Sequence, residues 1–325
     1  MKKLYLVTGA TGHVGTVLVA ELLSRNAEVR ALVRHGQGDA LPGSVHKCEG
    51  DIVEPDTLRA FFDTTGYDYV ALIHCAALIT ISSKRDSRVW ETNVNGTENV
   101  LRAAAKAGVD RVVYVSSVHA IPEKPKGQII SEVASFSPDS VHGQYAKSKA
   151  AAAQIAMEYA AKGLNLSIVH PSGIIGPGDT RKRNHMIRTI RAMAEGKIPV
   201  GLKGGYDFVD SRDVVDGILS CEEKGRPGEC YILNGHYITV LSLLNLIRKA
   251  NGRRAAKIEV PYRLVKTLAP VAEFSSKLIG SHAPLFTPYS VYTLHTNGVF
   301  SHRKATEEFG YSPRPIEESI RDSLD

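Results

Sequence analysis

Tyr145 and Lys149 are the two side chains whose types and spacing suggest proton chemistry. They are four residues apart in the segment QYAKSK, so a helix would place both on one face and would turn Lys147 away from them. A nearby ammonium stabilises a phenolate and lowers the phenol pKa from its ordinary value of about 10. A tyrosine tuned in this way can donate a proton to a carbonyl oxygen, or remove one from an alcohol, near neutral pH. Upstream, the segment YVSS offers Ser116 and Ser117 as hydroxyls that could hold that oxygen.

A glycine-rich loop near the N-terminus indicates a cofactor that carries phosphate. Gly9, Gly12 and Gly15 are spaced three apart in TGATGHVG, which follows one apolar segment and opens an amphipathic one. Glycines at this spacing allow a tight turn and a close approach of the backbone to a pyrophosphate, and the helix N-terminus offers free N–H groups. The sequence therefore predicts a dinucleotide site contacted by Gly9, Thr11, Gly12, His13, Val14 and Gly15.

The residues after the second and third predicted strands indicate which dinucleotide binds. A carboxylate about 20 residues after the glycines would accept the ribose hydroxyls of NAD, but the segment RALVRHGQG offers none. Arg34 instead stands where a guanidinium could bind a 2′-phosphate, with His35 beside it, so we expect NADP(H) to be preferred over NAD(H). In the segment GDI, Asp51 is expected to bind the adenine amino group while Ile52 packs on the adenine ring.

The elements that must position these residues alternate along the first 175 residues. Apolar segments typical of buried strands, such as DYVALIHCAA and VDRVVYVSS, alternate with amphipathic or alanine-rich segments typical of helices. This pattern predicts an α/β fold, a doubly wound parallel sheet, with a smaller and mainly helical C-terminal substrate lobe. We expect 1–175 and about 206–238 to form the NADP-binding domain, and about 176–205 and 239–325 to form the substrate-binding lobe.

The composition excludes several other classes of protein. Hydrophobic residues make up 43% and charged residues 23% of the 325 positions, which is typical of a globular chain. No apolar run approaches the ~18 residues of a membrane span, and the apolar start reads as a strand rather than as a targeting signal. The net charge of +6 is not gathered into the basic and aromatic clusters of a nucleic-acid binder. The four cysteines form no CxxC pair and the twelve histidines show no metal-binding spacing, so we expect reduced thiols, a cytoplasmic location and no metal.

Together these motifs resemble those of the extended short-chain dehydrogenase/reductases, and the resemblance covers nearly the whole chain. It rests on TGATGHVG, GDI, HCAA, NVNGT, YVSS, YAKSK, HPSGIIGPGD and FVDSRDV, and the chain is most similar to the dihydroflavonol-reductase-like branch. The resemblance implies a Rossmann sheet with a smaller C-terminal lobe. It also implies that Ser117, Tyr145 and Lys149 are catalytic, Ser117 being chosen over Ser116 because it directly precedes the loop that leaves the strand. Tyr145 and Lys149 would also border the cofactor, with Lys149 at the nicotinamide ribose.

The resemblance implies further cofactor contacts on three other segments, and it implies that Phe208–Val214 returns the chain to the sheet. The residues concerned are Cys75, Ala76, Ala77, Asn93, Pro171, Gly173 and Ile174. Asn93 would support the site from its helix, although an ordinary helix-start residue is the alternative. In this superfamily the helices that carry the residues matching Asn93 and Tyr145 often pair across a two-fold axis. The small alanines at 150–153 would permit close approach of a helix from a second copy of the chain, so we expect a homodimer.

The catalytic residues do not decide the reaction, because nucleotide-sugar epimerases and dehydratases of the superfamily share them. A dehydratase-type loop would carry an Asp-Glu pair where this chain has Val118 and His119. Arg181–Arg183 could bind a diphosphate, which would favour an epimerase with tightly bound NAD(P), but a solvated basic helix start is the alternative. The apolar residues around 262–294 could line an apolar pocket, and packing in the core or in a dimer is the alternative for them. We favour an NADP(H)-dependent reductase that reversibly converts a ketone or aldehyde of a mainly apolar small molecule to an alcohol, over an epimerase and over a cofactor-binding regulator without turnover. The candidate substrate residues are Leu78, Val118, His119 and Arg183.

The absence of a carboxylate after the second predicted strand generates the first testable prediction. Since Arg34 can pair with a 2′-phosphate and no carboxylate awaits the ribose hydroxyls, NADPH should bind more tightly than NADH. A fluorescence titration gives both dissociation constants, and comparable values would refute the NADP(H) preference.

Overall fold

The chain folds around a seven-stranded parallel sheet in a computed structural model that describes residues 1–180, 184–267 and 287–324. The strand order is β3-β2-β1-β4-β5-β6-β10, and every neighbouring pair is parallel. The strands of this sheet are β1 (Lys3–Thr8), β2 (Glu28–Val33), β3 (His46–Glu49), β4 (Tyr69–His74), β5 (Arg111–Val115), β6 (Leu166–Pro171) and β10 (Cys230–Leu233). The predicted doubly wound α/β fold is confirmed.

Helices cover both faces of this sheet. One face carries α3 (Gly96–Ala107) and α4 (Gln144–Ala161), and the other carries α1 (His13–Ser24) and α6 (Ser211–Lys224). A four-residue α2 (Ser87–Trp90) runs through a π-helical turn (Glu91–Asn95) directly into α3. Short 3₁₀ turns lie at Gly38–Ala40, Pro55–Leu58, Val118–Ala120 and Pro138–Ser140.

The alternation of side chains along each strand builds two apolar cores. In β1, Leu4 and Leu6 pack into the core under α3 and α4, whereas Tyr5 and Val7 pack into the core under α1 and α6. This two-residue period is the geometry of an extended strand buried on both faces. The sheet therefore holds the carboxyl ends of its strands along one rigid edge.

A smaller unit extends from that edge. It contains a three-stranded sheet of β7 (Gly173–Ile175), β9 (Gly205–Asp210) and β11 (His236–Thr239), and a two-stranded sheet of β8 (Gly201–Leu202) and β12 (Glu259–Val260). A third core joins α5 (His185–Ala194) and α7 (Val240–Ala250) to these strands. Three helices near the C-terminus complete the described chain: α8 (Pro288–His295), α9 (Arg303–Phe309) and α10 (Ile316–Asp322).

Both ranges predicted for the NADP-binding domain contribute strands to the smaller sheet, because β7 lies at the end of 1–175. Within 206–238, α6 and β10 return to the main sheet, but β9 pairs with β7 and β11 in the smaller sheet. Asp210 ends β9 and caps the N-terminus of α6 by accepting from the Arg212 N–H, which turns the chain back. Near the C-terminus, α9 packs through Ala305 and Phe309 on the core under α1 and α6 rather than on the smaller unit.

The alanines of α4 are buried within this one chain. Ala150, Ala152 and Ala153 are completely buried in the core between the helix and the sheet, and Ala151 is 8% exposed. The small side chains that suggested a partner helix therefore serve the close approach of α4 to its own sheet. The expected homodimer loses this support and stays a prediction.

Three further findings concern cysteines, metals and membranes. All four cysteines are free thiols. Across 1–180, 184–267 and 287–324, no group of three His, Cys, Asp or Glu side chains could hold a metal ion. The same ranges contain no helix that combines the length and the apolar composition needed to cross a bilayer.

Candidate active site

The glycine loop forms a tight cradle between β1 and α1. Gly9 has a φ of +69°, and a side chain there would come within 2.6 Å of the Ala76 backbone nitrogen. A side chain at Gly15 would lie 2.1 Å from the Gly9 carbonyl oxygen. Helix α1 begins at His13, while Gly12 is exposed. The loop therefore brings bare backbone and a free helix N-terminus to one surface, which fits a pyrophosphate.

His13, expected at the cofactor, directs its imidazole toward the smaller unit instead. Its Nε2 lies 2.8 Å from the Pro177 carbonyl oxygen, and its Nδ1 lies 2.8 Å from the Asn184 side-chain nitrogen. The Asn184 amide also donates to the Ile174 carbonyl oxygen, so the segment after β7 is tied to the glycine loop. Any contact of His13 with the cofactor would then come from its backbone.

Arg34 follows β2 directly and is exposed. Because Thr8 pairs with Leu32 in the sheet, Arg34 lies beside the start of the glycine loop. Within the described part of the chain its guanidinium makes no ion pair, whereas His35 is bound to Glu49 at 3.1 Å. The structure thus leaves Arg34 available for an anion and places His35 against β3.

Asp51 and Ile52 lie in the turn after β3. One carboxylate oxygen of Asp51 accepts from the Val53 N–H at 3.1 Å. Ile52 is only 5% exposed and packs on Gly96, where a side chain would lie 2.7 Å from the Ile52 Cδ1. Ile52 is thus mainly a core residue, with little surface to offer an adenine ring.

Asn93 binds the loop that follows β4 through its side-chain amide. The Asn93 amide brackets the backbone of Leu78, accepting from its N–H at 2.7 Å and donating to its carbonyl oxygen at 3.0 Å. The same amide donates to the Ser148 hydroxyl at 2.9 Å, and Ser148 in turn donates to the Tyr145 carbonyl oxygen at 2.8 Å. Asn93 therefore connects the loop of Cys75–Leu78 to the helix that carries Tyr145.

Ser117, Tyr145 and Lys149 come together where β5 ends. All three side chains are buried, Tyr145 with 8% and Lys149 with 1% of its surface exposed. The Lys149 ammonium donates to the Val115 carbonyl oxygen at 2.9 Å and lies 4.6 Å from the centre of the Tyr114 ring. The Ser117 hydroxyl accepts from the His119 N–H at 3.3 Å, so its own proton is free to donate.

Burial decides the protonation of this group. It raises the pKa of Tyr145 above 10 because a buried phenolate is poorly solvated, although the Lys149 charge and a hydrogen bond from Ser117 both lower it. The Lys149 charge lowers the pKa of Tyr145 as predicted, but in the protein alone the effect of burial is larger. Burial also lowers the pKa of Lys149, and it raises the pKa of the Cys75 thiol to about 12. Tyr145 is therefore a neutral phenol, the form that can donate a proton.

Two residues that the sequence reasoning missed support this group. His170, at the end of β6, donates from Nδ1 to the Ser117 carbonyl oxygen at 2.9 Å, and burial lowers its pKa to about 4. Tyr114 is fully buried beneath Lys149 and stacks on His74, with 5.4 Å between ring centres. Tyr114 and His170 lie at the ends of adjacent parallel strands. This position could have predicted that they adjoin the site, since side chains at strand ends meet at one edge of the sheet.

The expected substrate residues have different positions. Val118 is 2% exposed and belongs to the core under α3 and α4, so it presents little surface to a ligand. His119 faces Tyr145 edge-on with 5.9 Å between ring centres, and it contacts Tyr206 and Tyr289, neither of which was predicted. Leu78 is half-buried in the loop that Asn93 holds. Arg183, like the rest of 181–183 and most of the apolar stretch 262–294, lies outside the described residues.

Comparison with known proteins identifies relatives along the full chain. The profile of the NAD dependent epimerase/dehydratase family matches residues 5–234. Sterol demethylase protein B of Methylococcus capsulatus is 31% identical, over 98% of this chain and 96% of that protein. A provisionally named dihydroflavonol 4-reductase of Synechocystis sp. is also 31% identical, over 100% of this chain and 94% of that protein. The crystal structure of gox2253 superposes with a TM-score of 0.84 at 29% identity, covering 100% of this chain and 97% of that one.

The burial of Tyr145 predicts an unusual titration. In a difference spectrum between the wild type and Tyr145→Phe, the tyrosinate absorbance should still be absent at the ordinary phenol pKa of about 10, because burial raises the pKa of Tyr145. A signal that develops below the ordinary phenol pKa in the wild type would contradict this account.

The two hydrogen bonds from Asn93 to the Leu78 backbone predict that one substitution should lower both the stability of the protein and its affinity for NADPH. Asn93→Ala should lower the free energy of unfolding by about 1–3 kcal/mol, because the Leu78 backbone loses two buried partners, and it should also weaken NADPH binding. Asn245 brackets Ala256 in the same way, at 2.7 and 3.2 Å, but in the smaller unit. Asn245→Ala therefore provides the matched control, which should lose stability and keep its affinity for NADPH. Equal NADPH affinities in the two variants would show that Asn93 has no part in the cofactor site.

Proposed function

The chain belongs to the NAD dependent epimerase/dehydratase family, and from this premise we propose that it is an NADP(H)-dependent oxidoreductase of the extended short-chain type. The proposed reaction is the reversible reduction of a ketone or aldehyde, in a mainly apolar small molecule, to the alcohol. The observation that carries the proposal is the meeting of the Tyr145 phenol, the Ser117 hydroxyl and the Lys149 ammonium at the end of β5, two strands from β1 and its glycine loop.

The residues present fit a nicotinamide dinucleotide. A side chain at Gly9 or Gly15 would collide with neighbouring backbone, so the loop is shaped for close backbone approach, and α1 presents its N-terminus there. Arg34, free of ion pairs in the described ranges and beside the loop, would bind the 2′-phosphate and supports NADP(H) over NAD(H). Cys75 and Ala76 lie against Gly9, and Cys75–Ala77 together with Pro171–Ile174 would line the rest of the cofactor.

The chemistry of this chain is proton delivery and the positioning of an oxygen. When bound, the dinucleotide supplies or accepts the hydride at the carbonyl carbon. Tyr145, held as a neutral phenol by burial, donates its proton to the carbonyl oxygen, and in the reverse direction it takes that proton back. Ser117 donates a hydrogen bond to the same oxygen. Lys149 stabilises the phenolate left on Tyr145, and within the described residues two of its three N–H groups remain after the bond to Val115.

The surroundings of Tyr145 support an apolar substrate that contains rings. The imidazole of His119 lies edge-on to Tyr145, and the phenol rings of Tyr206 and Tyr289 pack around that imidazole. Flat aromatic side chains contribute large apolar contact areas with a polar tip. The two relatives are named for a sterol and for a dihydroflavonol, both ring compounds, which supports the same class of substrate. The four free thiols support a reducing compartment, the cytoplasm.

Epimerisation of a nucleotide sugar is the other reaction that Ser117, Tyr145 and Lys149 could catalyse, because reductases and epimerases of the superfamily share these residues. The two functions differ in what happens to the cofactor. A reductase consumes NADPH in proportion to the alcohol formed, whereas an epimerase retains oxidised cofactor and interconverts UDP-sugars without net turnover. Assays of both kinds on the purified protein separate the two functions.

The proposed role of Tyr145 predicts a selective loss of turnover. In Tyr145→Phe, kcat/KM for ketone reduction should fall by about 10²–10⁴-fold because the proton donor is lost, while NADPH should still bind because the glycine loop is unchanged. Tyr159→Phe, on the same helix but outside this group, is the matched control and should keep wild-type kinetics. A Tyr145→Phe protein with near wild-type turnover would refute the assignment.

A further inference from the structure

His13 links the glycine loop to the smaller unit through its side chain. It is the first residue of α1, so its backbone N–H has no partner within the helix and can face a pyrophosphate. Its imidazole extends to the smaller unit, where Nε2 lies 2.8 Å from the Pro177 carbonyl oxygen and Nδ1 lies 2.8 Å from the Asn184 side-chain nitrogen. The backbone and the side chain of one residue therefore face the proposed cofactor site and the smaller unit, respectively.

The partners of this imidazole fix which of its nitrogens carries the proton. Pro177 offers only a carbonyl oxygen, so His13 Nε2 must donate to it. The Asn184 amide accepts from the Met186 N–H at 2.8 Å through its oxygen, which leaves its NH₂ group to donate to the other two partners. These are His13 Nδ1 at 2.8 Å and the Ile174 carbonyl oxygen at 2.9 Å. Burial lowers the pKa of His13, so at physiological pH the imidazole is neutral and Nδ1 can accept.

Asn184 connects this link to the surroundings of Tyr145. It caps the N-terminus of α5 and donates to the backbone of β7. A side chain at Gly173, the first residue of β7, would lie 2.8 Å from the Tyr206 ring, so the strand packs directly on that ring. The Tyr206 hydroxyl lies 2.8 Å from His119 Nε2, and the His119 ring meets the Tyr145 ring edge-on at 5.9 Å between centres. A continuous series of contacts therefore runs from the glycine loop to the proposed proton donor.

A second contact between α1 and the smaller unit takes a different course. The Thr16 hydroxyl donates to the Gly178 carbonyl oxygen at 2.7 Å. A side chain at Gly178 would lie 2.4 Å from Val17, so the backbone packs closely on α1 at this point. Among the described residues, this hydrogen bond includes no atom of α5 or β7. The bonds of His13 and Asn184 are therefore the ones that reach those two elements.

We propose that His13 is a positioning residue that couples binding of the dinucleotide to the order of α5 and β7. The inference rests on the proposed function, since it requires a dinucleotide at the glycine loop. A pyrophosphate bound by the N–H groups at the N-terminus of α1 restricts the first turn of that helix, which includes His13. The restricted imidazole then holds Asn184, and α5 and β7 with it. Coupling of this kind needs no change of shape, because a ligand that removes motion at one end of the link leaves less motion to be lost at the other.

Amide hydrogen–deuterium exchange of the whole protein, with and without saturating NADP⁺, tests the proposal. In the wild type, NADP⁺ should slow exchange in the glycine loop and also, by at least about fivefold, in α5. In His13→Phe, which keeps a flat ring and loses both hydrogen bonds, the effect should remain in the loop and disappear from α5. His13→Gln supplies one donor and one acceptor and should recover part of the effect in α5.

Two further variants make the measurement specific to this link. Asn184→Ser breaks the link from the other end, because its short hydroxyl can still cap α5 but cannot reach His13, and it should also lose the effect in α5. Thr16→Val is the matched control. It removes the other hydrogen bond between α1 and the smaller unit and should keep the full effect. The thermal midpoint and the Kd for NADP⁺ establish that each variant is folded and saturated.

The outcomes separate this inference from the proposed function. If NADP⁺ slows exchange in the glycine loop alone, or if the effect in α5 survives in either His13→Phe or Asn184→Ser, the inference is overturned and the reductase stands. An effect in α5 that depends on His13, in a protein that reduces no ketone, supports the inference and refutes the reductase. A protein that binds neither NADP⁺ nor NAD⁺ refutes both.

Discussion

A buried ammonium without a carboxylate beside it is the constraint on which this site depends. Lys149 is 1% exposed, and within the described residues no Asp or Glu pairs with it. Burying an unpaired charge costs several kcal/mol unless polar groups replace its water. Here the Val115 carbonyl oxygen at 2.9 Å and the face of Tyr114 at 4.6 Å replace part of that water, and burial still lowers the pKa of Lys149. An incompletely compensated cation is suited to stabilise a transient phenolate at Tyr145.

The surrounding elements serve to hold that cation beneath the phenol. Helix α4 approaches the sheet closely because its inward side chains are alanines, and only a close approach lets Lys149 reach the end of β5. Ser148, on the same helix, is joined through Asn93 to the loop after β4. On the opposite side, His170 fixes the Ser117 backbone. The group proposed to move a proton is therefore attached to three neighbouring strand ends, so its geometry follows from the order of the sheet.

The sequence predicted what depends on local pattern and missed what depends on long-range contacts. Parallel strands, the glycine loop and the i, i+4 spacing of Tyr145 and Lys149 are periodic features, and the structure contains each of them. Local pattern could not show that His13 turns toward Pro177, because the two residues are 164 positions apart. Local pattern could not predict the contacts of Tyr206 and Tyr289 with His119 either, because these residues are far apart in the sequence and only the fold brings them together. The spacing of Tyr145 and Lys149 predicts a lowered pKa for Tyr145, but burial raises that pKa. The extent of burial depends on the whole fold and cannot be read from spacing.

Hydride transfer coupled to protonation is the central claim, and isotope transfer tests it most directly. The protein would be incubated with a panel of ring-bearing ketones and NADPH that carries deuterium at the transferable position of the nicotinamide, and the alcohol would be analysed by NMR. We expect deuterium on the carbinol carbon, where it does not exchange with water. Alcohol without deuterium on carbon, or the absence of alcohol with every ketone while UDP-sugars are interconverted, would contradict the claim.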